Sequence, residues 1–191
     1  GLHPVGHRQV RQRLVDAGQL PAGHVDLTGF VGTRGQDHRV ETTLDRRIAI
    51  PSGERQYHIG LGPGELAEYV LLPGDPDRTS RIAARFDSIE LERRNREFAS
   101  ATGLLRGQRV SVVSTGIGTD NVEIVMAEIL AITERPTLIR VGSCGALQPA
   151  MRLGDLAITT GALRLESTTS FYVHDGYPAV ADYEAVAALV E

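Results

Sequence analysis

Three apolar runs of strand length in this chain each end in a turn of small residues. Tyr69–Leu72 leads into Pro73-Gly74-Asp75-Pro76, Val110–Ser114, expected to be a buried strand, into Thr115-Gly116-Ile117-Gly118, and Thr137–Val141, expected to be another, into Gly142-Ser143-Cys144-Gly145. A strand that breaks on glycine and is followed by a helical pattern is the repeating unit of an α/β sheet. After the first turn, Asp75 or a neighbour can cap a helix that starts at Pro76, a residue suited to the first helical turn. That helix is expected to run to about Phe86, with Ile82, Ala83 and Phe86 on one face. After the second turn, Asp120 and Glu123 have the spacing of a capping box, and Val122, Val125, Met126 and Ile129 share a helical face.

The remaining pattern fits the same class. Ile89–Arg94 and Ala99–Leu105 read as strands, and Leu156–Thr160 as another after the turn at Gly154-Asp155. Phe171–Ala181 reads as a loop holding Gly176 and Pro178. A last helix is expected from Asp182, with Tyr183, Val186, Ala187 and Val190 on one face. No glycine or asparagine C-cap follows it before Glu191, so the pattern is expected to be cut short there. Residues 1–55 differ in character. They hold His3, His7, His24 and His38 but only one aromatic residue, Phe30, and no sustained apolar period beyond a short helix around Val10–Val15. They are expected to form a loose extension, and those histidines lack the close pairing of metal ligands.

Bulk properties narrow the function. The net charge of −4 and the absence of a basic stripe argue against nucleic acid as partner. No apolar run approaches the roughly 18 residues a membrane helix requires. Cys144 is the only cysteine, which fits a reducing cytoplasm, the expected location. All 20 basic residues are arginine. A P-loop lysine and Schiff-base chemistry are therefore excluded, and any anion must be held by arginine or by backbone N–H groups.

Arginine accompanies the glycine turns. Arg78 lies on the first turn of the helix after Gly74, and Arg140 lies inside an apolar strand just before Gly142. In an α/β sheet, ligands bind beyond the carboxyl ends of the strands, where glycine lets backbone N–H groups approach an anion. The guanidinium fork matches phosphate oxygens two at a time. Structural readings stay open for each residue. Arg78 can be a solvated helix residue, Arg140 half of an internal ion pair, Arg96 a surface charge and His58 a structural histidine. Cys144 has no activating base beside it in sequence, so no catalytic nucleophile is assigned. Taken alone, the residues reach an α/β protein with a phosphate-type site.

Several segments in order resemble one family. Tyr57-His58-Ile59-Gly60-Leu61, Pro73-Gly74-Asp75-Pro76-Asp77-Arg78, Arg96-Glu97-Phe98, Ser114-Thr115-Gly116-Ile117-Gly118 and Arg140-Val141-Gly142-Ser143-Cys144-Gly145-Ala146 are similar to the nucleoside phosphorylases of the hexameric purine and uridine type. Ser143-Cys144 looks like the purine branch. The longer match, Tyr177-Pro178-Ala179-Val180-Ala181-Asp182-Tyr183-Glu184, looks like the uridine branch and is favoured. The resemblance covers about residues 56–191, read as the N-terminal part of a phosphorylase domain.

The resemblance implies an α/β/α layered domain around a mixed sheet that curls into a distorted barrel, here incomplete at the C-terminus. It implies phosphorolysis of a nucleoside to free base and ribose 1-phosphate, in salvage or catabolism, with inorganic phosphate as co-substrate and no metal or organic cofactor. Gly74, Arg78, Arg140 and Ser143 would bind phosphate, and Arg96 would reach the phosphate of an adjacent subunit. His58 would contact the ribose 5′-hydroxyl across an interface, and Cys144 and Gly145 would line the base pocket. Shared sites imply a homo-oligomer, a dimer-based hexamer when complete. Some relatives bind a monovalent cation near the Glu97 position; Asn121 stands where those relatives carry a small hydroxyl residue. The chain alone is expected to be inactive and to leave apolar sheet edges open. The rival readings are a nucleosidase of the same fold and a nucleoside-binding or storage protein.

Overall fold

The computed structural model describes residues 53–191. The loose extension expected over residues 1–55, with its four histidines and short helix, lies outside the described residues as far as residue 52. The elements in chain order are β1 (Tyr69–Pro73), α1 (Pro76–Ala83), β2 (Ser88–Asn95), β3 (Phe98–Leu105), β4 (Gln108–Val113), α2 (Thr119–Ile132), β5 (Thr137–Val141), β6 (Gly161–Ala162), β7 (Ala179–Val180) and α3 (Tyr183–Val190). A 3₁₀ turn at Thr168–Phe171 precedes β7. Among the described residues no helix is long and apolar enough to cross a membrane.

Five strands form one mixed sheet in the order β2-β3-β4-β1-β5. β1 pairs in parallel with β4 and with β5, while β2-β3 and β3-β4 are antiparallel. The sheet is open, with β2 and β5 at its edges. The short β6 and β7 pair separately.

Alternation along β1 divides the core into two layers. Val70 and Leu72 face one side and pack with Phe98, Val113, Val125 and Ile129, so α2 covers that face. Leu71 faces the other side with Val112 and Ala101, against Ile82 and Ala83 of α1 and Phe86 just beyond it. The described part is thus an α/β/α sandwich. Asp75 caps α1 by accepting from the Asp77 N–H at 2.9 Å, and Pro76 occupies the first turn, as its sequence position requires.

Three expectations need correction. The N-cap of α2 is Gly118, with no side-chain cap, and Asp120 lies inside the first turn. The Asp120 carboxylate instead accepts from the Thr168 hydroxyl at 3.1 Å, while Glu123 accepts from the Tyr172 phenol. Both acidic groups thus tie the 3₁₀ turn to the head of α2. Leu156–Thr160 is not a strand; these residues take no sheet partner, and only Thr160 bonds to the following arm, through the Ala181 N–H at 3.1 Å. β5 is half-buried rather than buried, because β1 is its sole partner in the described sheet. Beyond β5 the apolar side chains lie open: Leu147 is 94% exposed and Leu153, Leu156 and Leu165 are equally bare, so this arm adds nothing to the core.

Gly103 shows how tightly the β2-β3 pair is closed. The register shifts between Ile89 and Leu91, and a Cβ placed on Gly103 would stand 2.1 Å from the Ser88 carbonyl oxygen and 2.9 Å from the Phe86 ring. Gly103→Ala is expected to lower unfolding free energy by about 1–3 kcal/mol, read by urea denaturation. Gly145→Ala, where nothing lies within 4 Å, is the control and is expected to change nothing.

Tyr172 offers a second test. Burial and the hydrogen bond to Glu123 push its phenol up to about 12 from the usual 10.0. The folded chain therefore holds this proton more tightly than the unfolded chain. The stabilising contribution is full below pH 10 and is lost as pH rises through 12. Ultraviolet titration is expected to show a tyrosine ionising near 12, and Tyr172→Phe should abolish that step.

Candidate active site

Parallel pairing of β4, β1 and β5 brings the carboxyl ends of all three strands to one edge of the sheet. Leu72 stands opposite Arg140, and Pro73 opposite Val141, so Gly74 and Gly142 leave the sheet side by side. The Thr115 N–H donates to the Pro73 carbonyl at 2.8 Å and docks the second turn against the first.

The arginines converge there. Arg140 Nη1 donates to the Leu72 carbonyl at 2.8 Å and to the Val141 carbonyl at 3.1 Å. Arg78, half-buried on α1, donates from Nη1 to the same Val141 carbonyl at 3.3 Å. One backbone oxygen thus holds two guanidinium groups together. Neither arginine forms an ion pair among the described residues. The Arg140 side chain is exposed, having left the strand for the sheet's end. This separates the sequence alternatives: Arg140 is anchored by carbonyls, which neutralise none of its charge, and not by a carboxylate.

The glycines make room for that arrangement. A Cβ on Gly74 would lie 2.9 Å from Arg140 Nη2 and 3.3 Å from the Gly116 carbonyl. Gly116 itself has φ +69°, with Asn121 Nδ2 2.8 Å from where its Cβ would be. A larger residue at either place would push a turn away from Arg140.

Ser143, Cys144 and Gly145 follow Gly142 into solvent and are exposed. Among the described residues no hydrogen bond joins Ser143 or Cys144 to Arg78 or Arg140, and nothing lies within 4 Å of a Cβ on Gly145.

His58 and Arg96 form a separate group. Arg96 sits in the β2-β3 hairpin with φ 53°, an uncommon backbone for a residue other than glycine. Its guanidinium lies 4.5 Å from the Tyr57 ring centroid and donates to the Tyr57 hydroxyl. Asn95 Nδ2 donates to the Tyr57 carbonyl at 2.8 Å and to the His58 carbonyl at 2.7 Å. Tyr57 is 68% exposed, so the hairpin and the 57–58 segment present a cation and an imidazole outward together.

Glu128 was missed by the sequence reading. It lies on α2, only 5% exposed, accepts from the backbone N–H groups of His58 and Ile59, and stands 2.6 Å from His58 Nδ1. The signal was present: Val125, Ile129 and Ile132 are spaced as one apolar stripe, and Glu128 is a carboxylate within it. Such a residue needs buried donors.

A cavity of about 230 Å³ lies elsewhere, lined by Pro76, Thr79, Ser80, Arg93 and Ser100 among others. It includes none of the convergent glycines, and Arg93 is already engaged with the Gly60 carbonyl and Glu65. The strand ends, which carry two arginines with no carboxylate partner among the described residues, are the better anion site.

Comparison with known proteins identifies the family. Residues 68–191 match the family model described as the phosphorylase superfamily. A uridine phosphorylase of Thermococcus kodakarensis is 48% identical over 136 residues, covering 71% of this chain and 49% of that protein. A guanosine phosphorylase of Halorubrum lacusprofundi is 38% identical, covering 71% of this chain and 56% of that protein. A crystal structure of a purine nucleoside phosphorylase from Toxoplasma gondii, in complex with immucillin-H, superposes with a TM-score of 0.68 at 31% identity, covering 72% of this chain and 55% of that one. The chain spans about half the length of the curated relatives it matches. With residues 68–191 matched by the family model and a fold that superposes on a solved relative at a TM-score of 0.68, this chain belongs to the phosphorylase superfamily.

Proposed function

We propose that this chain carries the phosphate-binding part of a nucleoside phosphorylase, with residues 56–191 forming part of that domain. The convergence of Arg78 and Arg140 on the Val141 carbonyl, beside Gly74, carries the reading. Two guanidinium groups with no carboxylate among the described residues form a site for a dianion. Ser143 would join them when phosphate is present, and Arg96 would serve the phosphate of a neighbouring subunit. Cys144 and Gly145 would face the base.

The chemistry follows from that placement. A phosphate oxygen forms a bond to the anomeric carbon of the ribose. The glycosidic C–N bond breaks, and its electron pair leaves with the base. The sugar is cation-like in between, and the phosphate dianion held beside it offsets that charge. The arginines supply position and electrostatics. No organic cofactor or metal enters the step; phosphate is the co-substrate.

Uridine is the favoured substrate because several relatives, including the one at 48% identity, are uridine phosphorylases. Guanosine or another purine nucleoside is the second reading, supported by the guanosine phosphorylase relative and the purine nucleoside phosphorylase structure. A homo-oligomer built on dimers, with a cytoplasmic location, completes the proposal. The exposed Arg96 over the Tyr57 ring, which also meets the His58 imidazole, supports shared sites.

Inorganic phosphate, followed by phosphorus NMR line broadening, is expected to bind the chain. Arg140→Ala should weaken binding about tenfold or more, the worth of a charge-assisted hydrogen bond. Equal binding by the variant would sink the assignment. In the full-length protein, uracil release from uridine should require phosphate. Equal release in its absence would indicate a nucleosidase instead.

A further inference from the structure

We infer that Glu128 is a positioning residue that holds a proton on His58 Nδ1 and so turns Nε2 outward as the atom that meets the substrate. The inference rests on the reading of His58 as a ribose contact. The observation is a convergence of donors on one buried carboxylate. The His58 N–H donates to Glu128 Oε1 at 3.0 Å and to Oε2 at 3.1 Å, and the Ile59 N–H donates to Oε2 at 2.8 Å. His58 Nδ1 lies 2.6 Å from Oε1.

A carboxylate is an acceptor here, so Nδ1 must be the donor of that bond. The bond that one ring nitrogen makes decides what the other presents. The imidazole is part-exposed at 35%, whereas Glu128 is 6% exposed, so the anchored end is inside and the free end outside. Three further contacts lock the geometry. Asn95 Nδ2 holds the His58 carbonyl at 2.7 Å, the Tyr57 ring meets the imidazole edge-on at 5.0 Å, and the core residues Val125 and Ile129 fix the helix that carries Glu128. A nucleoside hydroxyl is a donor and acceptor that fits a single outward ring nitrogen. Glutamine in place of Glu128 could not substitute. It offers one oxygen and an NH₂ group to a cluster made entirely of donors.

Nitrogen NMR on histidine-labelled chain gives the test, at a pH above the usual histidine range. His58 is assigned by its loss in His58→Gln. The expected result is a protonated Nδ1 in the unmodified chain, and in Glu128→Gln a shift of that nitrogen toward the unprotonated position as both tautomers populate. An unmodified chain whose His58 carries its proton on Nε2 alone overturns the inference, with no variant needed. So does a folded Glu128→Gln chain whose Nδ1 signal does not move. The ribose reading is tested apart from this, by comparing uridine with 5′-deoxyuridine in the full-length protein. The preference for uridine, expected at about tenfold for one hydrogen bond, should fall in His58→Ala and in Glu128→Gln. If His58→Ala keeps that preference while the Nδ1 shift occurs, the ribose contact fails and the positioning by Glu128 stands.

Discussion

Parallel pairing on both sides of β1 is the constraint from which the rest of this structure follows. Because β4 and β5 run the same way as β1, three glycine turns that are far apart in the chain leave the sheet at one edge. The Leu72–Arg140 register then places a guanidinium at the very end of β1, where it bonds to the Leu72 carbonyl. A shift of one residue would turn Arg140 to the other face of the sheet and empty the site. The two helices secure that register from opposite faces, through Val125 and Ile129 on one side and Ala83 on the other.

Backbone carbonyls and carboxylates play different parts in this molecule. Arg55, Arg93 and Arg109 meet Glu65 or Glu90 and are neutralised where they stand. Arg78 and Arg140 meet only carbonyl oxygens among the described residues, which orient a guanidinium without cancelling its charge. The first group closes the loop before β1 and the sheet edge. The second group leaves positive charge at the strand ends, in the place where such folds bind anions. His58 repeats the contrast in reverse, with a buried carboxylate orienting a ring that stays part-exposed.

Much of this was legible in the sequence. The strand-glycine-helix repeats located β1, β4, β5, α1 and α2, and an arginine inside the apolar run 137–141 pointed to the candidate site. The misreadings have physical causes. Asp120-Asn121-Val122-Glu123 has capping-box spacing, but Gly118 already turns the chain at φ 95°, so helix begins earlier and the acidic groups are free to hold Thr168 and Tyr172. Leu156–Thr160 has a strand's composition, but a strand needs a partner, and none stands beside it in the described sheet. Glu128 was passed over because a helix face was read from its apolar members alone.

By itself the sequence determined most of the element types and the succession of strand, glycine turn and helix, and with no lysine in the chain it left only guanidinium and backbone N–H groups to hold any anion. Only the tertiary structure decided which residues act together. Arg78 and Arg140 share the Val141 carbonyl although 62 positions separate them, and His58 finds Glu128 70 positions away. Such pairings depend on strand order and helix placement, which no local spacing encodes, because they are set by which apolar faces can be buried against each other at the same time.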